Sequence, residues 1–201
     1  MNRSAGILLP LSSLPSRYGI GCFSKSAYEF VDWLKEAGQS YWQILPLGPT
    51  SYGDSPYQSV FGASGNPYLI DPETLVEEGL LKKSELSAYR VPNTGKTDYA
   101  FLSENKASLL RKAFSRFDVQ GKEFLHFVQE GDFKDYSLFM ALRGKYGAGF
   151  ISWEKPLRLH DVAALEKFYA ENKNEVLFWQ FVQYEFFRQW STLKGYANSR
   201  G

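Results

Sequence analysis

Cysteine, histidine and methionine are nearly missing from this chain: its 201 residues hold one Cys, two His and two Met. A lone Cys22 cannot close an internal disulfide, so a reducing, cytoplasmic setting is expected. His126 and His160 stand isolated among helical positions, and no His/Cys cluster has zinc spacing. Each reads as a satisfied surface or core histidine, and no metal site is expected. Charge of one sign is also lacking: 23 Lys and Arg face 22 Asp and Glu, a net charge of +1. That balance, with Lys and Glu interleaved, excludes a phosphate-tracking nucleic-acid surface. No apolar run approaches the length that spans a bilayer, so no membrane partner is expected. The run Ala5–Leu11 behind Arg3 imitates a signal peptide, but Pro10 breaks it and no small-x-small cleavage pattern follows.

What the chain does have is aromatic residues, at 17%. They gather in two places, the loop that follows Tyr41–Leu47 and a late helix. Tyr41–Leu47 reads as a short buried strand stopped by Pro46 and Gly48-Pro49. The long loop after it mixes Gly, Pro, Ser, Asp and Asn with Tyr52, Tyr57, Phe61 and Tyr68. Three prolines fix φ and four glycines permit turns, which makes a shaped loop. Exposed rings beside hydroxyl, amide and carboxylate groups suit a sugar. A stiffened turn whose tyrosines pack inward is the competing reading, and the burial of Tyr52 and Tyr57 separates the two.

Ala5–Leu9 reads as an earlier buried strand, running into a second Pro/Gly/Ser loop at 10–23. Ser26 and Glu29 have capping-box spacing, and the helix they would open carries Ala27, Phe30, Val31 and Leu34 on one stripe up to Gly38. Strand, helix, strand implies a parallel, right-handed βαβ unit. Loops 10–23 and 48–68 then leave the C-terminal ends of neighbouring strands and should meet at one mouth. Residues 72–170 show helical periods only, with an Asp98-capped helix bearing Leu102, Leu109, Leu110 and Ala113. From Glu175 to Leu193 the apolar residues go almost all round the cylinder of an expected helix. The expected organisation is α/β: a strand–helix–strand at 1–71, a helical insertion at 72–170 and a returning helix at 171–201. Two strands make no stable sheet, so the chain reads as stopping mid-fold, before a third strand, with that helix left bare on some faces.

Other chemistry is excluded by position. Gly53-Asp-Ser55-Pro-Tyr57 matches a G-x-S-x-G nucleophile elbow until Tyr57 occupies the last glycine, and Pro56 lacks the N–H an oxyanion hole needs. Gly144–Gly149 is neither a dinucleotide nor a Walker loop. Asp54 and Asp71 read as turn caps rather than catalysts.

Four segments together resemble the amylomaltase, or 4-α-glucanotransferase, family. They are Leu11-Ser-Ser-Leu-Pro-Ser-Arg-Tyr-Gly-Ile-Gly21, Ala37-Gly-Gln-Ser-Tyr-Trp-Gln-Ile-Leu-Pro-Leu-Gly-Pro49, Gly53-Asp-Ser-Pro-Tyr-Gln58 and Gly65-Asn-Pro67. The likeness is densest through residue 81 and returns at Gln189-Trp190 and Tyr196-Ala-Asn198. Cys22 departs from it, standing where many members have an acidic residue. The resemblance implies the N-terminal part of a TIM barrel with a large helical insertion, mostly helical by residue count. It implies retaining transfer of α-1,4-glucan segments between maltooligosaccharides, with no cofactor. Its catalytic carboxylates would come from later strands, so none is expected within these residues, and the remainder of the barrel would be the chain's partner. Carried over by motif, Tyr57 would lie against the reacting sugar. Asp54 and Ser55 would bond its hydroxyls or hold the loop, Tyr52 would be an outer platform, and Gln58 and Asn66 would complete the substrate-binding set. A non-catalytic glucan-binding module and a purely structural α/β domain remain the alternatives.

Overall fold

Gly6–Leu8 (β1) and Tyr41–Gln43 (β2) pair in parallel, with Gly6 against Tyr41, Ile7 against Trp42 and Leu8 against Gln43. Between them runs helix α1 (Lys25–Glu36), so the expected βαβ unit is formed. The computed structural model describes residues 3–50, 53–59, 61–91, 95–131, 133–147 and 149–201. After β2 every regular element among them is helical. They are α2 (Pro72–Glu77), α3 (Tyr99–Phe114), α4 (Lys122–Glu130), α5 (Lys134–Tyr146), α6 (Lys155–Arg158), α7 (Val162–Glu171) and α8 (Lys173–Ser199), with short 3₁₀ turns between.

α1 buries Ala27, Val31 and Leu34, the spacing that an amphipathic helix needs. Its end follows expectation: Gly38 at φ +67 lets Gln39 N–H reach the Leu34 carbonyl at 2.9 Å. Its start does not. The helix begins at Lys25 after an extended Ser24, so Ser26 lies inside the first turn and no capping box forms. The Ser26 hydroxyl donates instead to the Pro15 carbonyl at 2.9 Å, and Glu29 pairs with Lys25. One residue type is thus diverted from capping the helix to tying down the loop before it.

Both strands were expected to be buried, and both are largely open, Leu8 being 56% and Tyr41 64% exposed. A parallel strand is buried when helices or strands cover both faces and edges. With two strands among the described residues, that cover is incomplete. The aromatic helix shows the opposite departure. Gln180 to Gln183 of α8 are four consecutive buried residues, which puts every side of that one turn in contact with protein. No described α8 residue is among the exposed large hydrophobics, although Trp190 and Leu193 line an apolar groove towards its C-terminal end.

The chain divides into two compact units, Met1–Phe117 with Glu185–Gly201, and Asp118–Tyr184. Residues 72–117, expected with the helical insertion, therefore belong to the strand-bearing unit. The reason is visible in α3. Its buried stripe is Leu102, Lys106, Leu109, Leu110 and Ala113, and Lys106 Nζ donates to the Ile70 carbonyl at 2.5 Å. The second unit has its own core, with Leu138, Leu142, Trp153, Leu157, Phe168 and Val176 packed together.

In the first unit the 3₁₀ turn Lys83–Tyr89 is clamped by Glu85. Its carboxylate accepts two bonds from Arg116, at 2.7 and 2.9 Å, and one from the Lys82 N–H at 2.8 Å. These bonds hold the Glu85 pKa down, from 4.5 to about 2, the Arg116 hydrogen bonds acting most. A carboxylate with a lowered folded pKa gives stability that is present above its unfolded value and lost as pH falls. The urea midpoint of the native chain should accordingly drop between pH 4.5 and about 2 more steeply than that of Glu85→Gln. Equal acid limbs for the two proteins would refute the clamp.

Candidate functional site

Both long loops leave the same ends of the paired strands, and they are fastened to each other. Loop 10–23 opens with a 3₁₀ turn at Leu11–Ser13, and Gly21 N–H closes on the Ser12 carbonyl at 3.0 Å. A Cβ on Gly21 would stand 2.1 Å from the Leu11 carbonyl oxygen, so glycine is required there. Tyr18 is turned inward, its hydroxyl donating to Glu73. Burial, then that carboxylate, pushes its pKa up. Phe23 N–H donates to the Leu69 carbonyl at 2.9 Å, which joins the end of the first loop to the end of the second.

The second loop is closed in steps. Asn66 N–H bonds the Leu47 carbonyl at 2.8 Å, making a neck. Inside the neck the Ser59 and Ser64 hydroxyls both donate to the Phe61 carbonyl at 2.9 Å. Gly65 packs its backbone directly on α8, where an added Cβ would meet the Phe186 ring at 2.0 Å. At the tip Gly53 (φ +82) and Asp54 (φ +52) are both left-handed. Aspartate is one of few residues besides glycine that tolerate this conformation. The Tyr57 N–H then bonds the Ser55 hydroxyl at 3.3 Å and the Gln58 N–H the Ser55 carbonyl at 3.1 Å.

These turns set out the expected residues unequally. Tyr57 is 72% exposed and Gln58 is exposed beside it. Asp54 is half-buried and lines a small cavity of ≈ 50 Å³ with Pro10, Ser12 and Ile20 of the first loop. The loops thus meet at one mouth. Ser55 is half-buried, its hydroxyl engaged in the turn. Asn66 lines the same cavity but is only 6% exposed, and its side-chain oxygen caps the Pro67–Leu69 turn through the Tyr68 N–H at 2.9 Å. It builds the neck rather than presenting itself to solvent. Tyr52 lies outside the described residues. Asp71, read as a cap, is one: its carboxylate accepts from Glu73 N–H and Thr74 N–H and opens α2.

One residue was missed. Tyr99, first in α3, lines this cavity and a wider cleft of ≈ 820 Å³ that adjoins it through Ser12, Ile20 and Tyr99 itself. Burial and the Asp54 charge raise its pKa. The only sequence signal was Asp98 as helix cap, which places Tyr99 at a helix tip without saying what the tip faces. Among the described residues, no three His, Cys, Asp or Glu side chains converge as a metal site would require.

Comparison with known proteins now decides the family. The profile described as 4-alpha-glucanotransferase matches residues 9–201. The chain belongs to the 4-alpha-glucanotransferase family. The 4-alpha-glucanotransferase of Clostridium butyricum is 47% identical over 198 residues, covering 94% of this chain and 40% of its own. That of Thermus thermophilus is 41% identical over 207 residues, covering 99% and 41%. Among solved structures, the amylomaltase of Streptococcus agalactiae in complex with acarbose superposes at TM-score 0.94 with 35% identity, over 100% of this chain and 42% of that one. The chain therefore spans about two fifths of the length of its 4-alpha-glucanotransferase relatives.

The loop's construction separates presentation from stability. Tyr57→Ala should change unfolding stability by no more than about 0.5 kcal/mol, as for other exposed side chains. Gly65→Ala, which forces a methyl into Phe186, should cost about 1–3 kcal/mol or more. Denaturant midpoints of the two variants check this, and a Tyr57→Ala loss as large as that of Gly65→Ala would make the tyrosine a core residue.

Proposed function

We propose that this chain supplies the sugar-orienting part of a 4-α-glucanotransferase that moves α-1,4-glucan segments between maltooligosaccharides, or onto glucose, with retention at the anomeric carbon. The observation that carries the reading is Tyr57. Its ring is 72% exposed beside a hydrogen-bonded turn, on a loop necked by the Asn66–Leu47 bond and packed at Gly65, while Tyr18, Tyr89 and Tyr136 are buried. A large aromatic side chain left in water on a fixed backbone is preorganised for a flat apolar face, and the C–H face of a pyranose is such a face. The acarbose in complex with the Streptococcus agalactiae amylomaltase supports a carbohydrate ligand.

On this reading Tyr57 stacks against the reacting sugar, and the Asp54 carboxylate and Ser55 hydroxyl take its hydroxyls or keep the turn. Gln58 offers an amide beside the ring and Tyr52 an outer platform. Asn66 acts through the neck of the loop. Tyr99 borders the cleft along which a longer glucan would run. Retaining transfer needs a nucleophilic carboxylate and an acid/base carboxyl about 5–5.5 Å apart. Both come from the three fifths of the relatives' length that this chain does not span. The βαβ unit is the opening of a TIM barrel, and the helices after β2 are its insertion. The remaining strands and helices cover the open sheet and the apolar groove of ≈ 550 Å³ lined by Tyr41, Trp42, Ile44, Trp190 and Leu193. A cytoplasmic setting suits the single, buried Cys22.

Two measurements test this. The chain alone, incubated with maltotriose, should release no glucose and form no longer products above a blank. Joined to the remainder of the Clostridium butyricum enzyme it should disproportionate maltotriose, and Tyr57→Ala in that fusion should lower kcat by on the order of a hundredfold, because misplacing the reacting sugar costs that much. Unchanged turnover in the Tyr57→Ala fusion would overturn the assignment.

A further inference from the structure

The second unit contains a cavity of ≈ 470 Å³ that the transfer reading does not use. Its volume lies in the range of small-molecule sites, roughly 300–1,000 Å³. Four elements build it: Val128 from α4, Lys134, Asp135 and Leu138 from α5, Val162, Leu165, Glu166 and Tyr169 from α7, and Gln180 from α8. His160 joins them from the turn that ends α6. It sits at φ +61, a conformation costing a β-substituted residue about 1–2 kcal/mol.

Burial grades these residues from mouth to floor. Lys134, Asp135, His160 and Glu166 are exposed, Leu165 and Tyr169 half-buried, Leu138 and Gln180 buried. Gln180 is 3% exposed, and its side-chain oxygen has no hydrogen-bond partner among the described residues. A buried amide oxygen left so costs about 1–3 kcal/mol, which a donor arriving in the cavity recovers. Only an O–H or N–H group can do this, because the oxygen accepts and does not donate.

The mouth narrows the ligand further. One ammonium stands against two carboxylates, with one imidazole beside them, so the mouth has no positive excess and a phosphate or other anion is not favoured. They do offer both donors and acceptors, as a ring of hydroxyls requires. Tyr169, Leu138 and Leu165 supply the apolar wall against which C–H groups lie. We propose that this cavity binds a neutral, polyhydroxylated ring, with one hydroxyl directed to Gln180 and others to Asp135, Glu166 and Lys134. A free hexose and the end of a maltooligosaccharide share that chemistry. The inference stands on the lining of the second unit and not on Tyr57 or on transfer activity.

The test is a titration of the ¹⁵N-labelled 201-residue chain with D-glucose and, separately, with maltotriose, followed by amide chemical shifts. Saturable shifts are expected at 134–138 and 160–169. Glu166→Ala, an exposed substitution, should weaken them by roughly tenfold, as for a hydrogen bond to a charged group. Gln180→Leu, which removes the unpartnered side-chain oxygen, should abolish them while the helical circular dichroism is kept. Tyr57→Ala should leave them unchanged. Equal affinities for the two sugars assign the cavity to one terminal ring, and tighter maltotriose binding assigns it to a chain end. Should Gln180→Leu fail to fold, Glu166→Ala decides alone. No saturable shift with either sugar, or shifts at these residues that survive Glu166→Ala, would overturn the proposal. Shifts confined to 53–58 and lost in Tyr57→Ala would overturn it too, while upholding the loop as the sugar site.

Discussion

The polar knot at Asp71 is what the first unit depends on. The Asp71 N–H donates to the Gln189 side-chain oxygen at 2.7 Å, and the Gln189 amide returns a bond to the Asp71 carbonyl at 3.5 Å, across 118 positions of sequence. The same aspartate caps α2 and accepts the Cys22 thiol at 3.7 Å, while Lys106 holds the preceding carbonyl, that of Ile70. All four side chains are buried. Buried polar groups cost free energy unless partnered, and here each partner belongs to a different segment: the first loop, the end of the second loop, α3 and α8. Desolvation shapes their chemistry in one direction, against charge. It lowers the Lys106 pKa and, with the Asp71 carboxylate adding to it, pushes the Cys22 thiol up to about 12. Cys22 is therefore a protonated packing residue, not a reactive one.

From that knot the base of the exposed loop is fastened to α8. α8 reaches Asp71 through Gln189 and packs Phe186 on Gly65, three residues earlier in the helix and six earlier in the loop. Phe23 closes the arrangement by stacking its edge on Phe186 at 5.2 Å and lying near Trp190 at 6.0 Å. The base of loop 48–68 is thus clamped by the buried residues Phe186 and Gln189 of α8, while Tyr57 at its tip is exposed. Rigid base and wet tip are opposite demands on one segment, met by glycine and asparagine at the neck and by Gly53, Asp54 and Ser55 at the turn.

How much of this was legible depended on range. Local rules placed the parallel strands, the Gly38 stop, the Asp98 cap and the meeting of the two loops, because each follows from a few neighbouring residues. They failed where a polar side chain had a distant partner. Ser26 had capping-box spacing but bonds Pro15, in the loop before the helix. Lys106 sits on the buried stripe of α3, yet a lysine is read as solvent-facing unless its acceptor at Ile70 is known. Asn66 looked like a ligand group and is mostly a turn cap, and Tyr99 looked like a helix residue and borders the cleft. The division into units followed the same logic, since α3 is tied to residue 70 by a bond no periodicity reveals.

The open sheet is the remaining physical constraint, and it sets the exposed strands apart from the exposed loop tip. Leu8 and Tyr41 are as exposed as many binding residues, so exposure alone does not distinguish Tyr57. What distinguishes it is backbone. Leu8 and Tyr41 lie on strands whose outer edges pair with no further strand among the described residues, a geometry that invites further strands and apolar cover. Tyr57 lies past two left-handed residues on a loop whose hydrogen bonds are already closed on itself, which leaves no ladder to extend. Protein can add to the first surface by continuing the sheet. At the second, an added strand gains nothing, and what the tip offers is a ring face beside short polar groups.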